Sequence, residues 1–146
     1  MKLRSIGVLA LITLTFISCN SKKGNKSLVG KWKGVNSKDG FMVFYKDGKA
    51  DILNENGVSA FDDKKNVKIN YEVITEVSPH QIYLTISEND ESQRIPLGIF
   101  KIQNGKLIIR DPIEYHRTMG GFDLGVSRYE LPKDFNGILR VFIKEN

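Results

Sequence analysis

Strict two-residue alternation of apolar and polar side chains, repeated in short runs between turn residues, most constrains what this chain can fold into. From 67 to 75, Val67, Ile69, Tyr71 and Val73 alternate with Lys68, Asn70 and Glu72, with Ile74 the one apolar exception. After Ser78-Pro79-His80, Ile82, Leu84 and Ile86 alternate with Gln81, Tyr83, Thr85 and Ser87. A strand turns successive side chains to opposite faces, so each run has one face for a core and one for water. Phe41–Lys46, Asp47-Gly48 and Lys49–Asn54 form a hairpin signal, because Asp-Gly tolerates the positive φ angles of a type I′ turn. Ile95–Gln103, Asn104-Gly105 and Lys106–Asp111 repeat it. Gly30–Val35 opens the series, and Val126–Leu131 (ended by Pro132) and Ile138–Lys144 (after Asn136-Gly137) close it.

These are about eight strands at the spacing of all-β sandwiches and barrels. Because neighbours in sequence pair as hairpins, the expected fold is all-β, an antiparallel up-and-down β-barrel, in which closure removes exposed sheet edges. No window sustains a long helical period. Pro112–Leu124, with Glu114, Tyr115, His116, Arg117 and Gly120-Gly121, is the least regular segment and reads as a long loop with room for one helical turn.

The domain is preceded by an address. Lys2 and Arg4 form a basic n-region, and Ile6–Ile17 is an apolar stretch of signal-peptide length, too short to span a bilayer. It closes on Phe16-Ile17-Ser18-Cys19, which resembles a bacterial lipobox: apolar at −3, small at −1, cysteine at +1. The expected organisation is a signal peptide over 1–18, a lipidated N-terminus and flexible cationic tether over 19–27, and one domain over 28–146. Cys19 is the only cysteine, so the domain has no disulfide, and thioether lipidation accounts for the odd thiol. This places the chain in the bacterial cell envelope. Asn20-Ser21, with no acidic run, points to an outer-membrane anchor facing the periplasm.

The formal charge is +5, from 22 basic against 17 acidic side chains; loss of Lys2 and Arg4 leaves 20 against 17, a net +3. The lysines are scattered among acids, unlike the clustered stripe that nucleic-acid binding needs. The expected partners are therefore the membrane through Cys19, a small apolar ligand, or another envelope protein.

Leu28-Val29-Gly30-Lys31-Trp32, with Gly-x-Trp at the head of the first strand, resembles the opening motif of the lipocalin superfamily. Leu97-Gly98-Ile99-Phe100-Lys101-Ile102-Gln103-Asn104-Gly105-Lys106-Leu107 is similar to a hairpin of small bacterial lipocalin-like domains, which often follow a lipoprotein signal. The resemblance implies a barrel whose floor is closed by Gly30 and Trp32, with Arg140 packed across the indole as a cation over an aromatic face. No Thr-Asp-Tyr motif of typical lipocalins stands in the middle of the chain.

Catalytic and metal chemistry find little support. His80 and His116 are the only histidines, and no spacing provides the three or four ligands of a transition-metal site. Asp62-Asp63 and Glu88-Asn89-Asp90-Glu91 lack the spacing and glycine of a calcium loop. Glu114-Tyr115-His116-Arg117 with Asp123 gathers acid, base and phenol, but without a nucleophile elbow or phosphate loop. No cofactor, metal or catalytic residue is expected. Val67, Ile69, Tyr71, Val73, Leu84 and Phe100 fall on the inward faces and are the candidate contacts for a ligand in the lumen. An eight-stranded barrel is just wide enough for its side chains to fill or to hold one small ligand, and the sequence leaves both open. A non-catalytic barrel binding a small apolar ligand is the expected function, with an interaction or envelope-assembly module over a filled core as the alternative.

In a native type of host, radiolabelled palmitate should enter the wild-type protein and be lost in Cys19→Ala; label retained in that variant would end the lipoprotein reading.

Overall fold

A computed structural model describes residues 25–61 and 66–146. The signal peptide, Cys19 and the Asp62-Asp63 turn lie outside the described residues. Ten strands follow in order: β1 (Gly30–Gly34), β2 (Phe41–Phe44), β3 (Ala50–Leu53), β4 (Val67–Ile74), β5 (His80–Glu88), β6 (Glu91–Gln103), β7 (Lys106–Arg110), β8 (Ile113–Met119), β9 (Phe122–Glu130) and β10 (Arg140–Lys144). Eight make one antiparallel sheet in the order β3-β2-β1-β10-β7-β6-β5-β4, and β8 with β9 forms a separate hairpin. The chain just before β3 meets β4, the other outer strand, at the bridge Lys49–Asn70, with the Tyr71 N–H donating to the Gly48 carbonyl at 2.8 Å. The result is a nearly closed up-and-down barrel, the expected class.

The interior follows from the alternation. Every barrel strand sends at least one side chain into a single buried cluster, from Trp32 on β1 through Phe44, Ala50, Tyr71, Leu84, Phe100 and Leu107 to Phe142 on β10. A bulge at Leu97 bends the long β6, since Ile82 pairs with Gly98 and Tyr83 with Pro96. Gly98 is required there: at φ 142°, a Cβ would lie 2.2 Å from the Arg110 carbonyl oxygen.

Two turns compare instructively. Asn104 and Gly105 have φ of 52° and 72°, the paired positive angles of the expected type I′ turn. At Asp47-Gly48 only Gly48 turns positive, and Tyr45 N–H donates to the Lys49 carbonyl across a three-residue loop. That loop is the glycine-bulge alternative to the expected two-residue turn.

The segment 112–124 corrects the sequence reading. It is not a loop or a helical turn but strand β8, a tight Gly120-Gly121 turn and the start of β9. Both glycines have positive φ, 60° and 83°, as a two-residue hairpin turn demands. The alternation of Ile113, Tyr115 and Met119 with Glu114, His116 and Thr118 is broken by Arg117, and every residue of β8 is exposed, so the strand has no buried face.

The Gly-x-Trp end is also corrected in one particular. Trp32 is 1% exposed, and its indole N–H donates to the Leu28 carbonyl at 2.7 Å, so the chain just before β1 closes the barrel floor around it. The cation across the ring is Lys144, 5.4 Å from its centroid, and not Arg140. Register explains this: Trp32 stands opposite Lys144, whereas Arg140 lies four residues farther along β10, opposite Ile109. At over 3 Å per residue that is the other end of the barrel. There Arg140 donates through Nε to Asp111 at 2.7 Å. Gly30 contributes by lacking a side chain, since a Cβ would sit 2.6 Å from the Lys144 Cε that crosses it.

Truncating a buried tryptophan costs about 3–5 kcal/mol, enough to unfold a small domain of ordinary stability. Trp32→Ala should therefore lose the cooperative melting transition near that of the wild type, and an unchanged Tm would show that the floor contributes little.

Candidate functional site

The residues proposed for a ligand in the lumen are brought together, but as packing. Ile69, Tyr71, Leu84 and Phe100 are buried in the central cluster, and Val67 and Val73 pack against it. Tyr71 sets its ring edge-on to Phe44 at 4.9 Å, and its hydroxyl donates to the Tyr45 carbonyl at 3.1 Å. Burial pushes this phenol above its ordinary value of 10.0, and a backbone contact from Asn25 works against that rise. The hydroxyl expected to orient a ligand thus has a backbone partner.

One cleft lies where β3 and β4 part company. Ala60 N–H donates to the Ile52 carbonyl at 2.8 Å, and Leu53 bridges Ser59, so the chain after β3 occupies the edge that β4 would otherwise extend along. A cleft of about 620 Å³ results, bordered by Ala50, Phe61, Val67 and Ile69 below and by Tyr45, Asp51, Lys68 and Asn70 at the rim. Tyr45 donates to Asp51 at 2.7 Å, and that carboxylate bond is the main reason the phenol is held above 10.0. Sequence reasoning found Val67 and Ile69 but not the cleft, because the splay of two strands depends on the intervening turn.

The second feature is the β8–β9 hairpin. It leaves the barrel after Arg110, at the end of β7 beside Arg140; Gly30 and the chain leading into β1 lie at the opposite end. Neither of its strands pairs with a barrel strand. On one face Tyr115 donates to Glu130 at 2.8 Å, with the Arg128 guanidinium 4.2 Å from its ring centroid. On the other, His116 Nδ1 lies 2.8 Å from Asp123 and Nε2 3.5 Å from Glu114. The acid, base and phenol that the sequence grouped are therefore divided between two faces, and the histidine is clamped by two carboxylates in open solvent. Exposed apolar side chains, Ile113, Val126, Tyr129 and above all Met119 at 68%, complete the surface. Among the described residues no group of three or more histidine, cysteine or acidic side chains is arranged to hold a metal.

Past the hairpin, residues 134–137 lie against the outer face of β6 and β7. Arg110 donates to the Asp134 carbonyl at 2.8 Å and to its carboxylate at 2.6 Å, and Lys101 stands 4.7 Å over the Phe135 ring. Ile99, opposite Arg110 in the ladder, is fully buried though outside the inner cluster. The root of the hairpin is thereby fixed to the barrel wall while the hairpin itself stands clear.

Comparison of the chain with protein-family models, with curated proteins and with solved structures found no match in any of the three.

The Gly125 N–H, donating to Asp123 at 2.8 Å, holds that carboxyl below its ordinary 3.8, and His116 beside it adds to the effect. A carboxyl depressed in the folded state stabilises above its unfolded value and loses that contribution as pH falls through the folded one. NMR shifts of the hairpin should therefore move toward disordered values as pH drops below 3.8, ahead of those of the barrel. Asp123→Asn should show part of that change already at neutral pH.

Proposed function

We propose that this chain is a lipid-anchored protein of the bacterial cell envelope, a lipocalin-like barrel held at Cys19, that works as a non-catalytic interaction module through its β8–β9 hairpin. The observation that carries this reading is the contrast between side chains buried together in one cluster and a hairpin left exposed. All eight barrel strands contribute to one buried cluster. The hairpin presents apolar side chains with no barrel strand beside it. Soluble chains rarely leave such surfaces uncovered unless something binds them, and loops and arms on a rigid scaffold are where recognition concentrates.

Placement supports the same conclusion. The described chain begins at Asn25, at the floor end, and the hairpin leaves from the other end. An anchor at Cys19 would hold the floor toward the membrane and present the hairpin to the aqueous compartment, where proteins are the available partners. The lipobox-like Phe16-Ile17-Ser18-Cys19 and the tether rich in lysine support the anchor itself. A small apolar ligand is the second reading, favoured by the cleft beside Val67 and Ile69. It ranks lower because the cleft opens to solvent along its rim and four of the six proposed contacts are already spent on the core.

A photoreactive amino acid placed at Met119 should give covalent protein adducts in the envelope of a native type of host. The same probe at Lys68, on the barrel wall, should give few. Equal yields from both positions, or no adduct from Met119, would overturn the interaction reading.

A further inference from the structure

Building on the interaction-module reading, we propose that the partner of the hairpin is a second copy of this chain, and that two hairpins join through the outer edges of β8 into one four-stranded antiparallel sheet. An isolated two-stranded hairpin is marginal in water, and three or more strands are the usual minimum for a stable sheet. This hairpin has two strands and no neighbour in its own barrel.

The two edges differ. Along the ladder the pairs run Tyr115–Arg128, His116–Val126 and Thr118–Asp123, so β8 advances by one and then two residues while β9 advances by two and then three. Both extra residues are on β9, and Gly125 at φ 92° sits in the second bulge. Bulges bend a strand and disrupt its ladder, which is one way proteins protect an edge from pairing. β8 has none: seven residues, regular, fully exposed, with neither proline nor lysine. One edge is blunted and the other is open.

Which backbone groups face outward follows from one bond. The Tyr115 carbonyl accepts from the Ser127 hydroxyl at 2.8 Å, so odd residues of β8 aim their N–H and C=O toward β9. Glu114, His116 and Thr118 therefore aim theirs away. In an antiparallel pair, outward-facing residues must stand opposite outward-facing residues. For two identical β8 strands, the register that pairs all seven residues places the two-fold axis at His116.

That register is complementary to itself. Ile113 stands opposite Met119 of the second copy, two exposed apolar side chains covering one another. Tyr115 stands opposite Arg117 of the second copy. Arg117 has no ion-pair or hydrogen-bond partner among the described residues, whereas Arg128 already covers the Tyr115 ring from its own hairpin. A second guanidinium on the other face of the ring is a favourable cation–aromatic contact. These pairs fall at the positions without ladder hydrogen bonds, where facing side chains approach most closely. Glu114 stands opposite the Thr118 hydroxyl, so no like charges oppose one another on the Arg117 face or at that position. A closed two-fold pairing also uses up the open edge and stops at two copies.

Three variants test this in the lipid-anchored protein. His116→Cys puts a thiol on the axis, with Cα atoms at the spacing a disulfide accepts. Mild oxidation should give a covalent species of twice the chain's mass, while Tyr129→Cys, on the outer strand, should remain monomeric. Thr118→Pro removes an N–H that points away from β9, a place where an edge strand tolerates proline. The wild type solubilised in detergent should sediment as a dimer, and Thr118→Pro as a monomer with the hairpin's NMR shifts retained. A monomeric wild type, or equal crosslinking from the two cysteine variants, overturns the dimer. If Met119 adducts with another protein persist alongside a monomeric wild type, the interaction reading survives and its partner is a different chain. If no adduct forms either, both fail.

Discussion

The ladder between β1 and β10 is the constraint on which the rest of the molecule depends. It joins the first described strand to the last, so a meander that would otherwise end in two bare edges becomes nearly a ring. Trp32 stands opposite Lys144 and Gly34 opposite Phe142. Flanking bonds extend the seam, from Glu145 N–H to the Lys31 carbonyl and from Val35 N–H to the Val141 carbonyl, each 2.8 Å. With that ladder formed, Trp32, Leu107 and Phe142 share one interior; without it, each would face water. Contacts so distant in sequence cost chain entropy before they return any stability. Local hairpins such as Asn104-Gly105 therefore form more readily than the junction that gives them a common core.

Closure at the junction is strong and on the far side weak. Among the described residues, the bridge between Lys49, just before β3, and Asn70 of β4 does what continuous ladders do elsewhere. The cleft beside Ala50 and Ile69 is the direct result, and it brings water nearer to the core than any ladder-closed wall would. Local opening concentrates where buried contacts and backbone bonds are fewest, so this seam is the place where the barrel yields first.

What could be read in the sequence, and what could not, divides along the same physical line. β4 and β5 were legible residue by residue because each has one face in the core, and burial writes its period directly into composition. β8 is harder to read because both its faces meet solvent: Ile113, Tyr115 and Met119 alternate with Glu114, His116 and Thr118, but Arg117 interrupts the apolar phase and no burial enforces it. The burial of Trp32 is legible in its Gly-x-Trp setting, but its cationic partner is Lys144, four residues beyond Arg140. That assignment depends on which residues of two distant strands stand opposite, and no local pattern records it. The clamp on His116 was half legible: Glu114, His116 and Asp123 were seen as a group, but only the hairpin's register sorts Tyr115 to the opposite face.

β7 and β10 are adjacent in the sheet even though the hairpin separates them in sequence. The arm from Ile113 to Glu130 is thus an insertion between two strands that already touch, with its root tied to the wall by Arg110 and Asp134. Its length, tip and edge can drift under selection without moving a single pair in the barrel register. Scaffold and arm are separate units of inheritance: the first must conserve volume and period, while the second is free to record the history of whatever it meets.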